Sequence, residues 1–253
     1  MKLYFDKEPI NSIAEAIPMY GKKEFQSSTR STVPLLSWLK HEQPMVNSLL
    51  QNLGMPADCN LHLEYKVKPP KGKGNASHTD LMVISGKSSL AIEAKWTEPR
   101  YPTIQEWLKK GPNPDNRRDV LNGWLECLRK HSQRPLNDSD FSDIVYQMMH
   151  RAASACQAGS RPKLAYLLFK PSSDPDTADI KVIHDDLARL HSLLGNPKDF
   201  PFYLVEVHMT PTAAFDEIKV FSKGNQKTAE AVRDALNREP LFNFSKYELH
   251  NIN

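Results

Sequence analysis

Cysteine is scarce in this sequence. The three cysteines, Cys59, Cys127 and Cys156, are odd in number, far apart and without the paired spacing of a zinc finger. A disulfide framework and a cysteine-built zinc site are therefore excluded as the basis of the fold. Free, widely spaced cysteines are typical of proteins in a reducing compartment.

Long apolar runs are missing as well. No stretch approaches the ~18 consecutive apolar residues that a membrane-spanning helix needs. Residues 1–8 contain charged side chains before a signal-peptide core can form, so we expect a cytoplasmic protein with no membrane partner. The sequence also contains no glycine-rich phosphate loop, and any use of ATP would require a separate partner protein.

A large excess of one charge is absent. The 33 Lys and Arg against 30 Asp and Glu give a net charge of +3, so any basic surface for nucleic acid must be local. A hydrophobic fraction of 40% with 25% charged residues is ordinary for a folded globular protein. Because no repeat or concentrated linker divides the 253 residues, we expect a single domain 1–253, with its core at about 35–210 and additions at both ends.

Apolar spacing divides the chain into helices and strands. A helical pattern interrupted at Pro44 comes first, and a period of two begins at Leu61. The predicted strands are residues 61–67, 79–85, 89–97, 164–169 and 202–209, and the predicted helices are residues 35–50, 120–128, 141–152, 185–194 and 228–237. The turn at 86–88 makes the second and third strands an antiparallel hairpin. We predict an α/β fold whose central mixed β-sheet contains this hairpin and is flanked by helices on both sides.

Two acids and a lysine converge in this hairpin. Alternation places Glu93 and Lys95 on one face of their strand, while Ile92 and Ala94 point to the other. Folding of the hairpin brings Asp80 alongside Glu93. Paired carboxylates beside an ammonium group supply oxygen ligands for Mg²⁺ and a cation near an attacking water, which is the chemistry of phosphodiester hydrolysis.

The segments Thr79-Asp80 and Glu93-Ala94-Lys95 resemble the motif of the PD-(D/E)XK nuclease superfamily, the restriction-endonuclease-like group that includes many DNA-repair nucleases. Thr79 stands where the motif has proline, a residue that is no metal ligand. The resemblance covers residues 35–170 in the order helix, three strands, helix and strand. It implies that Asp80 and Glu93 ligate Mg²⁺, or Mn²⁺ in its place, with the Ala94 carbonyl as an additional ligand. It also implies that Lys95 orients or activates the attacking water.

The function implied by this resemblance is that of a nuclease-like domain. It hydrolyses DNA phosphodiester bonds with a metal-activated water and serves in restriction or phage defence. The implied partners are DNA and either a second copy of the chain or an ATP-driven protein. Members commonly carry a further acid before the motif, for which Glu64 and Glu42 are candidates, and some carry a glutamine on the later helix, for which Gln147 is the candidate.

Basic side chains flank the motif. Residues 66–75, which lead from the end of the first predicted strand to the second, contain four lysines, Lys68, Lys71 and Lys73 among them, and no acid. We expect a flexible loop that either binds phosphates or is solvated. On the later helix, Gln147 and Arg151 are four residues apart and share one face. That face either points to a phosphate or is solvated.

Alternative interpretations stay open at the level of sequence. An acid two residues before a lysine occurs at four places in the chain, so the bare pattern is not specific. A different metal-assisted hydrolase built on Glu206 and Glu217 is one rival. Another is a non-catalytic module of the same fold that binds nucleic acid or a partner. In that module Asp80, Glu93 and Lys95 form a cross-strand ion pair worth at most ~1 kcal/mol.

Overall fold

An eight-stranded sheet organises the backbone. The computed structural model describes residues 1–110, 113–171, 179–221, 224 and 226–252. The strands are β1 (Lys2–Phe5), β2 (Glu8–Ile10), β3 (Asn60–Val67), β4 (Ser77–Ser85), β5 (Ser88–Lys95), β6 (Arg161–Lys170), β7 (Phe202–Pro211) and β8 (Phe242–Ile252).

Strand pairing makes this sheet mixed. Its order is β2-β1-β3-β4-β5-β6-β7-β8. The pairs β1–β3, β5–β6 and β6–β7 are parallel, and the other neighbours are antiparallel. The predicted hairpin is β4–β5, and Gly86 in its turn has a φ of +55°, a conformation that glycine adopts at little cost. The prediction of a central mixed sheet is confirmed.

Helices cover both faces of the sheet. They are α1 (Ile13–Ala16), α2 (Thr32–His41), α3 (Gln43–Asn52), α4 (Ile104–Lys109), α5 (Pro114–Arg129), α6 (Tyr146–Ala158), α7 (Ile180–Leu193), α8 (Ala213–Lys219) and α9 (Gln226–Arg238). Helices α1, α2, α3, α8 and α9 pack on what we call the first face, and α4 to α7 pack on the second face. Each face has its own apolar cluster, so the sheet is buried between two helical layers.

Alternation along β5 is as the sequence predicts. Leu90, Ile92 and Ala94 belong to the apolar cluster of the first face, and Ala91 belongs to that of the second. Every residue from Ser89 to Lys95 is buried, because β5 is a central strand with helices above and below it. The face left for Glu93 and Lys95 is therefore interior rather than solvated.

The sequence pattern misses strands β1, β2 and β8 and the short helices α1, α4 and α8. The first two strands have four and three residues, too few to show a period. Strand β8 lies at the sheet edge and keeps many side chains partly exposed, which removes the clean alternation of a half-buried strand. Helix α8 occupies a segment that reads as an exposed connection. The N-terminal and C-terminal additions thus extend the same sheet as the core.

Two predicted elements differ in detail. The helical stripe expected from residue 141 is interrupted, because Phe141 ends a short 3₁₀ turn and α6 begins only at Tyr146. Strand β3 does not keep one apolar face: Leu63 packs on the first face and Val67 on the second. The change falls at Glu64, whose φ of +51° is left-handed. A simple period of two cannot reveal such a switch.

None of the helices in the described parts of the chain is both long enough and apolar enough to cross a membrane. The three cysteines are unpaired, two of them buried and Cys156 partly exposed. Pro44 sits in the first turn of α3, directly after the break between α2 and α3, where a proline is expected to divide the helical pattern.

Candidate active site

Strands β4 and β5 stop pairing where the candidate site begins. The last backbone pair of the hairpin joins Leu81 to Ile92. At the residue just before Leu81 in β4, the Oδ2 atom of Asp80 accepts a hydrogen bond from the Ala94 N–H at 2.7 Å. A side-chain carboxylate thus takes the position of a backbone acceptor. This bond holds Asp80 against β5, beside Glu93.

Glu93 is the centre of a buried polar network on the second face. Its Oε1 accepts hydrogen bonds from Lys95 Nζ at 3.0 Å and from Gln147 Nε2 at 2.7 Å. Its Oε2 accepts from Arg151 Nε, which makes a second ion pair. All four residues are buried. Both carboxylate oxygens are therefore bound by donors, two of which carry positive charge.

Gln147 and Arg151 reach Glu93 because α6 packs across β5 and β6. The spacing of four residues puts both side chains on the face of α6 that meets the sheet. The alternative of a solvated helix face is therefore wrong. Arg151 was expected to bind nucleic acid, and in the structure its Nε is committed to Glu93 while its Nη1 donates to Ser77 Oγ at 2.6 Å.

The charge on Asp80 is poorly compensated. Burial raises the pKa of Asp80 well above its usual range, and the nearby Glu93 carboxylate raises that pKa further. Arg151 and Lys95 lower it, but not enough to reverse the direction. Among the residues that the structure describes, no basic side chain makes an ion pair with Asp80. Asp80 is thus an acid that needs either a proton or another cation.

The charged partners of Glu93 have the opposite effect. Burial by itself would raise the pKa of Glu93, but Arg151 and Lys95 outweigh it and the net shift is downward. Burial likewise opposes the charge of Lys95, yet the Glu93 and Asp80 carboxylates raise the pKa of that amine. Glu93 is therefore a carboxylate and Lys95 an ammonium group at neutral pH.

Glu64 is the nearer of the two candidate auxiliary acids. It lies opposite Asp80, between the cross-strand pairs Leu63 with Leu81 and Tyr65 with Thr79. Its carboxylate raises the pKa of Asp80, and its Oε2 lies 3.2 Å from the imidazole of His78. The left-handed backbone at Glu64 costs about 1–2 kcal/mol in a non-glycine residue. Strain of this kind concentrates at functional sites.

Glu42 is not part of the site. Helix α2 begins beside the end of β5, where the Ser31 N–H donates to Glu98 at 2.8 Å. Glu42 follows the other end of this ten-residue helix, about 15 Å away along the helix axis. That end packs near Leu236 on the first face, through Lys40. The sheet therefore separates Glu42 from the side chains of Glu93 and Lys95.

The chain brings three carboxylates and two fixed cations together here. When a bound cation replaces the proton of Asp80, three carboxylates face Lys95 and Arg151 and their charges sum to 2 − 3 = −1. Of the two carboxylate oxygens of Asp80, only Oδ2 has a hydrogen bond among the described contacts. Carboxylate oxygens with a residual negative charge are the donor set that Mg²⁺ prefers. Asp80 and Glu93 therefore supply oxygen ligands of the kind that a divalent cation binds, although the carboxylates of Glu64, Asp80 and Glu93 do not all lie within 4.8 Å of one another.

A cavity of about 530 Å³ adjoins this network. Its wall includes Gln147 and Arg151, which both bind Glu93, so the cavity and the acidic site share side chains. Basic residues Lys73 and Arg117 also line it, and aromatic residues complete the wall: Tyr101, Trp107, Trp124 and Tyr146. The cavity thus combines positive charge with apolar ring surface. It meets the acidic network through Gln147 and Arg151, whereas Asp80, Glu93 and Lys95 do not line it.

Ser77 and His150 support Arg151 and were not found from the sequence. Ser77 Oγ lies 2.9 Å from His150 Nδ1 and accepts a hydrogen bond from Ser154 Oγ at 3.1 Å. Burial, with help from Arg151 and Lys95, lowers the pKa of His150 well below its usual range, so the imidazole is neutral. No spacing pattern in the sequence joins residue 77 to residue 150; only the packing of α6 on β4 does.

The connection between β3 and β4 packs against helix α5. The backbone N–H of Lys73 donates to Asn116 Oδ1 at 2.6 Å. At Gly123 an added Cβ would lie 2.7 Å from the Lys71 backbone nitrogen, so the two segments touch directly. Glycines allow the loop and helix backbones to approach closely, so the loop packs on α5.

The three lysines of this loop have different surroundings. Lys71 pairs with Glu126, which offsets its charge. Lys73 is exposed and lines the cavity beside the candidate site. Lys68 is exposed at the end of β3. Of the three, only Lys73 is placed to meet a ligand in that cavity.

The rival pair Glu206 and Glu217 does not converge. Glu206 lies on β7 opposite Glu248 of β8. Glu217 lies on α8, whose buried residues Phe215 and Ile218 pack on the first face. Glu206 shares its side of β7 with Leu204, which packs on the second face. The two acids therefore lie on opposite sides of the sheet.

The fold is an α/β domain, with a mixed sheet between two helical layers. Its candidate site is an acidic network at the end of a hairpin, on the second face of the sheet. The chain belongs to the family described as Domain of unknown function (DUF6946), whose model matches residues 9–221. No curated protein and no solved structure matches the chain.

Proposed function

We propose that this domain is a Mg²⁺-dependent deoxyribonuclease related to the PD-(D/E)XK superfamily. The observation that carries the proposal is the meeting of Asp80, Glu93 and Lys95 at the open end of the β4–β5 hairpin, beside a cavity with basic and aromatic walls. The elements run in the order α2, α3, β3, β4, β5, α4, α5, α6 and β6. This keeps the order helix, three strands, helix and strand that the resemblance implies, with more than one helix at each helical position.

Asp80 and Glu93 would hold the metal, with the Ala94 carbonyl as an additional oxygen ligand. When bound, Mg²⁺ supplies Lewis-acid charge and lowers the pKa of a coordinated water. A dication would also relieve the repulsion among the carboxylates that raises the pKa of Asp80. Glu64, opposite Asp80, adds negative charge to the same place. Mn²⁺, which accepts the same oxygen ligands, would substitute.

Lys95 acts through its charge. Because the neighbouring acids raise its pKa, its ammonium group is a poor proton acceptor at neutral pH and serves to orient the nucleophile and stabilise negative charge on phosphate. Gln147 and Arg151 position Glu93 by fixing both of its oxygens. A metal ion that contacts Glu93 has to share these oxygens with the Lys95, Gln147 and Arg151 donors.

DNA is the proposed partner, and its phosphates would meet Lys73 and Arg117 at the cavity. The wider proposal places the domain in the cytoplasm, in restriction or phage defence, with a second copy of the chain or an ATP-driven protein as a further partner. The unpaired cysteines are consistent with a reducing compartment.

Purified protein incubated with linear, circular and single-stranded DNA, with and without Mg²⁺, tests the proposal. We expect Mg²⁺-dependent cleavage that Glu93→Gln and Lys95→Ala reduce at least a hundredfold. The matched control is Lys219→Ala, because Glu217-Ile218-Lys219 has the same spacing but lies on α8, away from the site. Circular dichroism shows whether each variant is folded. Cleavage by a folded Lys95→Ala protein at the parent rate rejects the assignment.

A non-catalytic module is the second candidate, and one observation favours it. Glu93 is already bound by Arg151, Lys95 and Gln147, an arrangement that a structural ion-pair network also requires. Calorimetry separates the two candidates. Binding of Mg²⁺ or Mn²⁺ in the presence of DNA, lost in Asp80→Asn, supports the nuclease. DNA binding without any metal binding supports the module.

A further inference from the structure

A second cluster of carboxylate and imidazole side chains lies on strands β7 and β8, at the β8 edge of the sheet. Glu206 is directly opposite Glu248 in the register of these strands. Like charges in facing positions destabilise a sheet unless other groups compensate them. The repulsion between Glu206 and Glu248 therefore has to be offset by positive or metal-ligating groups nearby.

Two histidines flank the facing acids. His250 Nε2 lies 3.0 Å from Glu206 Oε1, and His208 Nε2 lies 3.4 Å from Glu248 Oε1. We call Glu206, His208, Glu248 and His250 the β7–β8 cluster. One ligand atom from each of Glu206, Glu248 and His250 lies within 4.8 Å of the other two. The four side chains share one side of the sheet, because they occupy alternate positions on their strands.

The His208 nitrogen is the most informative atom of the cluster. Nε2 is buried and has no hydrogen bond among the residues that the structure describes. Its 3.4 Å contact with Glu248 Oε1 is an ion-pair contact and not a hydrogen bond. A buried ring nitrogen without a hydrogen bond is costly, and a metal ion between His208 and Glu248 would satisfy it. Lys246 also forms an ion pair with Glu248, so this acid has a cation that competes with a metal; the lysine side chain is 59% exposed.

We propose that the β7–β8 cluster binds a transition-metal dication, with Zn²⁺ as the expected ion. The converging atoms belong to Glu206, Glu248 and His250, and His208 lies beside Glu248. Carboxylates combined with imidazole are a ligand set for Zn²⁺ and related ions, whereas Mg²⁺ prefers oxygen alone. The side chain of His208 is 34% exposed and that of His250 is 40% exposed, so an ion reaches the cluster directly from solvent.

The bound ion would link strand β7 to strand β8. Strand β8 is one of the two edge strands of the sheet and, in the part of the chain that the structure describes, pairs with β7 alone. Ligands from both strands would join this edge to the core, as structural zinc sites do elsewhere. This site is independent of the nuclease proposal, since its residues lie on other strands than Asp80 and Glu93.

Zinc titration of the metal-free full-length protein by calorimetry tests the proposal. We expect binding of one Zn²⁺, a rise in melting temperature with Zn²⁺ but not with Mg²⁺, and at least a tenfold weaker affinity in His250→Ala and in His208→Ala. His184→Ala, a change of an exposed histidine on α7, is the matched control and should bind as the parent does. Glu93→Gln should also leave Zn²⁺ binding unchanged.

The proposal is overturned if the parent does not bind Zn²⁺, or if the His208→Ala/His250→Ala double variant binds it as tightly as the parent. Should the histidine variants fail to fold, Glu248→Gln at the sheet edge gives the same test with a smaller change in shape. Retained Zn²⁺ affinity in that variant also counts against the site.

Discussion

Replacing Arg151 by methionine tests whether the Glu93 network is buried and connected in the way described. Methionine keeps most of the side-chain volume but removes every donor. The change deletes the charged hydrogen bond to Glu93 Oε2, worth about 1.5–3 kcal/mol, and the bond to Ser77 Oγ, worth about 1 kcal/mol. Lys95 and Gln147 still hold Glu93, so the ~3–5 kcal/mol cost of an unpaired buried charge is not reached in full.

We therefore expect Arg151→Met to lower the free energy of unfolding by about 3 kcal/mol, which corresponds to a fall in melting temperature of about 6–12 °C for a chain of this size. Urea unfolding followed by tryptophan fluorescence measures the first quantity, and calorimetry measures the second. The matched control is Arg118→Met, whose side chain is 69% exposed and pairs with Asp115 at the surface. It should change stability by less than about 0.5 kcal/mol.

The result that would refute this reasoning is an Arg151→Met protein as stable as the Arg118→Met control. Such a result would mean that Arg151 faces solvent, as one interpretation of the α6 pattern allows, and that Glu93 does not depend on it.

Three further predictions concern backbone and charge. Burial and neighbouring acids raise the folded-state pKa of Asp80, so the folded state keeps a proton that the unfolded state releases above about pH 4. Stability should therefore fall as pH rises through the raised pKa, and Asp80→Asn should flatten this fall in metal-free urea titrations; an unchanged slope contradicts the shift. Glu64→Gly should raise the free energy of unfolding, measured by thermal melting, by about 1 kcal/mol, because glycine adopts the left-handed backbone without strain. A decrease of similar size would show that the contacts of the Glu64 side chain matter more than the strain. Gly123→Ala should cost about 1–3 kcal/mol because its Cβ meets the Lys71 backbone, whereas Gly21→Ala, with open space around it, should be neutral in the same denaturation assay.

Alternation along the strands was enough to predict the hairpin and the shared face of Glu93 and Lys95. The reason is local: successive residues of a strand point to opposite faces, and a short turn fixes which residues of the two strands are neighbours. Asp80 follows from the same rule, although its bond to the Ala94 N–H depends on where the two strands separate.

Periodicity could not predict the edges of the sheet or the surroundings of Arg151. Strand β8 is recognisable only by its pairing with β7, because its own side chains alternate weakly. Similarly, a polar face on α6 is compatible with solvent or with a buried acid, and the choice depends on which strand the helix covers. The burial of Arg151 against Glu93 is decided by contacts 58 positions apart in the chain.

The sequence by itself determined the class of fold and the pair of carboxylates with its lysine, because both depend on spacing within a few residues. Tertiary structure alone decided that Arg151 neutralises Glu93 while Asp80 stays without an ion-pair partner among the described residues. It alone also brought Glu206 and His208 to Glu248 and His250. Charges and ligands interact through space, and the distances between them are fixed only when strands and helices remote in sequence pack together.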